Sequence, residues 1–141
     1  MRAHFSFTPH ADYDAVISAI LAHARLDPTI VHRDAGAFGH QLLFCESEED
    51  AAAERCRART SGRLSPSLCL LDIERYQGEE QDGYRIRVNQ DCGEGSRRRM
   101  VPFVMWILHT LGPASAVDDD SGEDLDQVAS ERPEELFGSN D

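Results

Sequence analysis

An α+β fold, with a mostly antiparallel sheet and helices packed on one face, is what this sequence predicts, on three observations. Short segments in which apolar and polar residues alternate recur along the chain, as half-buried strands require. Longer segments carry apolar residues at helical spacing. The elements follow the order β-α-β-β-α-β through residue 76, which matches a ferredoxin-like split unit, and a further β-α-β piece comes after it. The 141 residues leave room for one sizeable core. The expected organisation is a single domain over 1–128 and a flexible acidic tail over 129–141.

The first strand is expected over His4 to Thr8, where Phe5 and Phe7 alternate with polar residues. Thr8-Pro9 has the character of a helix start. Behind it Tyr13, Val16, Ile17, Ile20, Leu21 and Ala24 form an apolar stripe that Asp27-Pro28 should end. Thr29 to Arg33 and His40 to Cys45 read as strands joined by a glycine-bearing loop. Ser47 with Asp50 suggests a capped second helix reaching Arg59, packed loosely through alanines and Cys56.

A loop over 61–66 should lead to an apolar strand, Leu68 to Ile73. The next strand is the alternating Tyr84, Ile86 and Val88, reached through a polar turn from Gln77 to Asp82 closed by Gly83. Phe103, Val104, Ile107, Leu108 and Leu111 predict a third helix, and Pro102 favours its start near Val101. Gly112-Pro113 should stop it. A last short strand is expected over Ala114 to Val117, with a short helix starting at Ser121.

Composition narrows the functional classes. The chain holds 14 arginines, no lysine and 26 acids, for a net charge of −12. That balance opposes binding to nucleic acid and to anionic membranes and favours a basic partner. No apolar run is long enough to span a bilayer, and the first twenty residues lack the pattern of a secretory leader, so a cytoplasmic location is expected. The cysteines at 45, 56, 69 and 92 form no C-x-x-C pair, which leads to an expectation of free thiols. None of the six histidines has the spacing of a metal site, and neither a metal nor a cofactor is expected. His109 is expected to be partly buried, and Trp106 falls off the main apolar side of its helix.

Charge is concentrated near the C-terminus. From Asp118 onward the chain has ten acids and one arginine. Asp118, Asp119, Asp120, Glu123, Asp124 and Asp126 are interleaved with Gly122 and Leu125, which suggests ordered backbone carrying an acidic surface. An EF-hand register fails, because it would put valines at 117 and 128 in ligand positions. Glu79, Glu80 and Asp82 of the polar turn could extend the surface.

The segment QDCGEGSRRRM, residues 90–100, has the spacing C-x-x-G-x-x-R between a strand and a helix. In this it resembles the signature loop of cysteine-dependent tyrosine and dual-specificity phosphatases. The resemblance implies Cys92 as nucleophile, Arg98 as the phosphate clamp, and phosphate held by backbone N–H groups. Asp91 stands where that family has histidine and Arg99 where it has a hydroxyl residue, so a glycine turn with solvated arginines is the preferred reading.

The functional expectation is an acidic binding protein that is not an enzyme. Its partner would be a basic protein, most concretely a bacterial toxin whose active site this chain occludes as an immunity protein. A small phosphatase using Cys92 and Arg98, and a scaffold or homo-oligomer subunit, are the alternatives.

Overall fold

The computed structural model describes residues 2–61, 65, 67–77 and 82–138. In chain order the elements are β1 (His4–Pro9), α1 (Tyr13–Ala24), β2 (Ile30–Asp34), β3 (Gly39–Phe44), α2 (Glu48–Ser61), β4 (Cys69–Gln77), β5 (Asp82–Asn89), α3 (Glu94–Leu111), β6 (Pro113–Asp118) and α4 (Asp126–Glu131). Short 3-10 turns cover Gly36–Phe38 and Pro133–Phe137. The fold is α+β, as the alternation predicts.

The strands form one six-stranded sheet in the order β2-β3-β4-β5-β1-β6, and every pairing is antiparallel. The connectivity departs from a ferredoxin-like unit. β1 and β2 run parallel but are separated by three strands, and β1 pairs with β5 and β6. The split β-α-β unit lies elsewhere, with β5 and β6 flanking β1 and α3 crossing between them.

Strand alternation gives the sheet two different faces. Phe5, Phe7, Leu42, Phe44, Leu71, Ile73, Ile86 and Val88 meet the apolar sides of α1 and α3, including Val16, Ile20, Met100, Val104 and Ile107. Each such large side chain contributes about 1.5–3 kcal/mol on burial. α2 lies on the other face, where Ala51 packs with Val31, Leu43 and Cys45. The helices therefore do not all share one face. The β4, β5 and β1 part of that second face carries polar residues.

Several boundaries shift for identifiable reasons. β1 continues through Pro9, and α1 is capped instead by Asp12, whose carboxylate accepts the Ala15 N–H at 2.9 Å. Ser47 does cap α2, accepting the Asp50 N–H at 3.1 Å. α2 buries Ala51 and Glu54 and leaves Cys56 exposed. α3 begins at Glu94 and contains Pro102; burial of Met100, Phe103, Val104 and Ile107 offsets the missing hydrogen bond. Gly112, at φ 70°, ends it. His109 is exposed, while Trp106 stacks on His23 with ring centroids 3.8 Å apart.

Much of the segment expected as a tail packs on the core. Ala129, Pro133, Leu136 and Phe137 are buried, and Phe137 meets Phe5 edge-on at 5.7 Å. The Gln90 amide donates to the carbonyl of Leu136 at 3.0 Å. Arg97 donates to the carbonyl of Phe137 as well, so apolar burial and two side-chain hydrogen bonds hold the end of the acidic segment on the core. Residues 139–141 lie outside the described residues. No helix among the described residues is long and apolar enough to cross a membrane.

Candidate interaction surface

After Asp118 the chain turns back along the outer edge of β6. The Asp118 amide donates to the Glu123 carbonyl, the Gly122 amide to the Asp118 carbonyl, and the Leu125 amide to the Ala116 carbonyl, at 2.9, 2.8 and 2.9 Å. Gly122 adopts φ +76°, a conformation that glycine enters without steric cost. The acidic segment thus covers an edge strand that would otherwise present unpaired backbone groups.

The six acids of this segment divide by what their side chains do. Asp118 accepts the N–H groups of Asp120 and Ser121 at 2.9 and 3.1 Å. Asp119 accepts both contacts of the Ser6 hydroxyl at 2.9 and 2.7 Å, with Arg87 Nε 3.8 Å away. Asp124 accepts the Asp126 N–H at 2.8 Å, and Asp126 accepts the Ala116 N–H at 2.7 Å. These four carboxylates build the corner.

Asp120 and Glu123 project outward, with side chains 61% and 58% exposed. Their contacts, to His4 at 3.2 Å and Arg2 at 3.3 Å, are solvent-exposed pairs of small energetic weight. Glu131, at the end of α4, and Glu134 and Glu135, on the 3-10 turn after it, are exposed. Sequence reasoning omitted these three because it treated the segment as a tail; the spacing of Ala129, Leu136 and Phe137 was the available signal. Glu79 and Glu80 lie outside the described residues, and Asp82 opens β5 opposite Gln77.

Asp118 lies where charge is well supported. Burial alone would raise its carboxyl, but the Ser121 and Asp120 backbone N–H groups, the Ser121 side chain and Arg2 outweigh it and hold the group below the usual carboxylate range. Arg2 Nε is buried without a hydrogen-bond partner, 3.6 Å from that carboxylate.

The corner adjoins the open polar face of the sheet. Register places Asp72 opposite Arg87, Arg87 opposite Ser6, and Asn89 opposite His4. Glu74 accepts from Arg85 at 2.8 Å and Arg87 at 3.1 Å. Burial raises Glu74, but the two arginine hydrogen bonds and charges prevail and lower it. Asp72 moves the other way, raised first by burial and then by Glu74. A cavity of about 170 Å³ lined by His4, Asp72, Arg87, Asn89 and Asp119 lies on this face.

The loop at Cys92 does not have a phosphatase geometry. Cys92 is disulfide-bonded to Cys69, with Cα atoms 5.2 Å apart, within the span of such bonds. This corrects the expectation of four free thiols; Cys45 and Cys56 are free. Arg98 projects into solvent and pairs with Glu94 at 3.0 Å. The loop is stitched to β4 instead: Gly93 N–H donates to the Ser67 carbonyl at 3.0 Å. The buried Ser96 hydroxyl accepts from Cys69 N–H at 2.7 Å and donates to the Phe44 carbonyl at 2.5 Å. Burial pushes the free Cys45 thiol up to about 11, which makes it a poor nucleophile.

Among the described residues, no group of three or more histidines, cysteines or carboxylates is placed to hold a metal ion. No family model matches the chain, and no curated protein or solved structure matches it. The functional reading therefore rests on the geometry.

Proposed function

We propose that this chain is a non-enzymatic acidic protein that binds a basic protein partner and occludes its cationic cleft, as an immunity protein neutralises a bacterial toxin. The observation that supports this reading best is the division of labour at the β6 corner. Asp118, Asp124 and Asp126 hold the backbone and Asp119 holds the Ser6 hydroxyl, while Asp120, Glu123, Glu131, Glu134 and Glu135 stand exposed.

Fixed backbone reduces the ordering cost of association. A one-sign patch raises the encounter rate with an oppositely charged partner and sets its orientation. The four anchoring acids drop out of the contact set that sequence alone suggested. Glu131 at the end of α4 and Glu134 and Glu135 after it join it.

Affinity capture with the purified chain, elution in a salt gradient and mass spectrometry test the reading. A basic protein bound in stoichiometric amount, released by salt and inhibited by this chain at equal molar ratio is the expected result. Self-association with no heterologous partner would favour a scaffold role instead.

A further inference from the structure

The opposite edge of the sheet differs in charge and in hydrogen bonding. The register of β2 with β3, in which Cys45 N–H bonds the Thr29 carbonyl and Ala35 N–H the Gly39 carbonyl, turns the backbone groups of Ile30, His32 and Asp34 outward. At the start of this edge the groups are covered. Ile30 N–H donates to the Asp27 carbonyl at 3.2 Å, and Arg55 donates to the carbonyls of Pro28 and Ile30 at 3.2 and 3.0 Å. At His32, which is exposed, the cover ends.

Two cavities flank the strand, one on each face of the sheet. On the α1 side, about 270 Å³ is lined by Leu21, Arg25, Asp27, Ile30, His32 and Arg55. On the α2 side, about 490 Å³ is lined by Val31, Arg33, Asp34, Arg55, Ala58 and Arg59. Side chains of an added strand alternate between faces, so successive residues would enter the two cavities in turn.

Each wall carries more arginine than carboxylate, Arg25 and Arg55 against Asp27 on one side and Arg33, Arg55 and Arg59 against Asp34 on the other. Among the described residues, Arg25, Arg33, Arg55 and Arg59 have no carboxylate ion-pair partner, as Arg57, Arg75, Arg97 and Arg99 elsewhere have none, whereas Arg2, Arg85, Arg87, Arg98 and Arg132 do. The nearest acids are occupied: Asp27 accepts from Thr29 and Asp34 from Gly36 N–H. A second copy joined edge to edge through β2 would bring two arginine sets together.

We propose that the free edge of β2 takes an extended acidic segment of a partner protein as an added strand. Backbone ladder bonds begin at His32, and the acidic side chains are received by Arg25 and Arg55 on one face and by Arg33 and Arg59 on the other. This surface is independent of the acidic corner, which lies five strand spacings away, about 24 Å.

A fluorescent peptide of repeating Glu-Glu-Val-Val blocks, twelve residues long, which puts glutamates on both faces of an added strand, is the probe, read by anisotropy. His32→Pro removes an outward N–H that the fold does not use, a change edge strands tolerate. Arg33→Glu with Arg59→Glu reverses the charge. The expected result is saturable binding to the full chain, at least tenfold weaker in each variant, with amide shifts in the wild type confined to 30–34, the Arg25 end of α1 and the neighbouring side of α2. Amide mapping on the wild type keeps the test independent of how the variants fold. No binding at millimolar peptide, shifts located elsewhere, or affinity that survives His32→Pro would overturn the proposal.

Discussion

The Asp126 carboxylate accepts the amide of Ala116 at 2.7 Å, so a side chain from the acidic segment takes the place of a neighbouring strand at the edge of β6. With the Leu125 N–H to Ala116 carbonyl bond beside it, this contact fixes where the corner begins. Asp126→Ala should lower stability by about 1–2 kcal/mol, the loss expected when a semi-buried N–H is left without its partner. Asp126→Asn, which keeps an acceptor, should lose less. Asp120→Ala and Glu123→Ala should each stay within about 0.5 kcal/mol of wild type. Urea unfolding of the four variants checks the division between anchoring and exposed acids.

Gly39 closes the β2–β3 hairpin at φ +115°, and a Cβ there would collide with the Ile73 carbonyl. Gly36, at φ +66°, has open space around it. Gly39→Ala should therefore cost about 3 kcal/mol. Gly36→Ala should cost only about 1 kcal/mol, the penalty of the left-handed conformation alone. Thermal unfolding of the pair separates strain from collision.

The Cys69–Cys92 bond closes a loop of sequence separation 23. Cys92→Ser should cost about 3 kcal/mol by the loop-closure argument. Unfolding with and without reductant measures it: reductant should lower the wild-type midpoint and leave that of Cys92→Ser unchanged. Alkylation under native conditions should label Cys56, which is exposed, and spare Cys69 and Cys92.

Acid should destabilise the protein through Asp118 and Glu74. Both are held below the ordinary carboxylate range in the folded state, so their contribution is complete above that range and is lost as pH falls through the folded values. Asp72 has the opposite sign. Its folded value is raised, so its ionised form opposes folding above that value, and the opposition disappears once pH falls below the unfolded value. Asp72→Asn should accordingly stabilise the protein more at pH 7 than at about pH 4, whereas Asp118→Asn should destabilise it at pH 7 and flatten the acid limb. Denaturant midpoints across pH check both signs.

Much of this fold was legible because strand alternation and helical stripes are local signals. Phe5 and Phe7, Tyr84 to Val88, and Val16 to Ala24 all occupy the elements their spacing implies. What decided the rest was long-range. The place of β1 between β5 and β6 depends on how two crossing connections, through α1 and α3, pack, which no window of sequence carries. Pro102 lies inside α3 because its neighbours are buried, a tertiary effect that overrides propensity. At the corner, the sequence located the acids but not their roles. Asp119 and Glu123 look alike in a charge run; the Ser6 hydroxyl two strand positions after His4 is what ties down the first and leaves the second exposed.

The most direct test of the acidic corner is a binding isotherm for the captured partner against wild type, an exposed-set variant (Asp120→Lys, Glu123→Lys, Glu134→Lys) and Asp119→Asn. The account predicts that the exposed-set variant loses at least tenfold in affinity and most of its salt dependence, while Asp119→Asn, folded by circular dichroism, binds as wild type does. Equal affinity and equal salt slope for wild type and the exposed-set variant would contradict it.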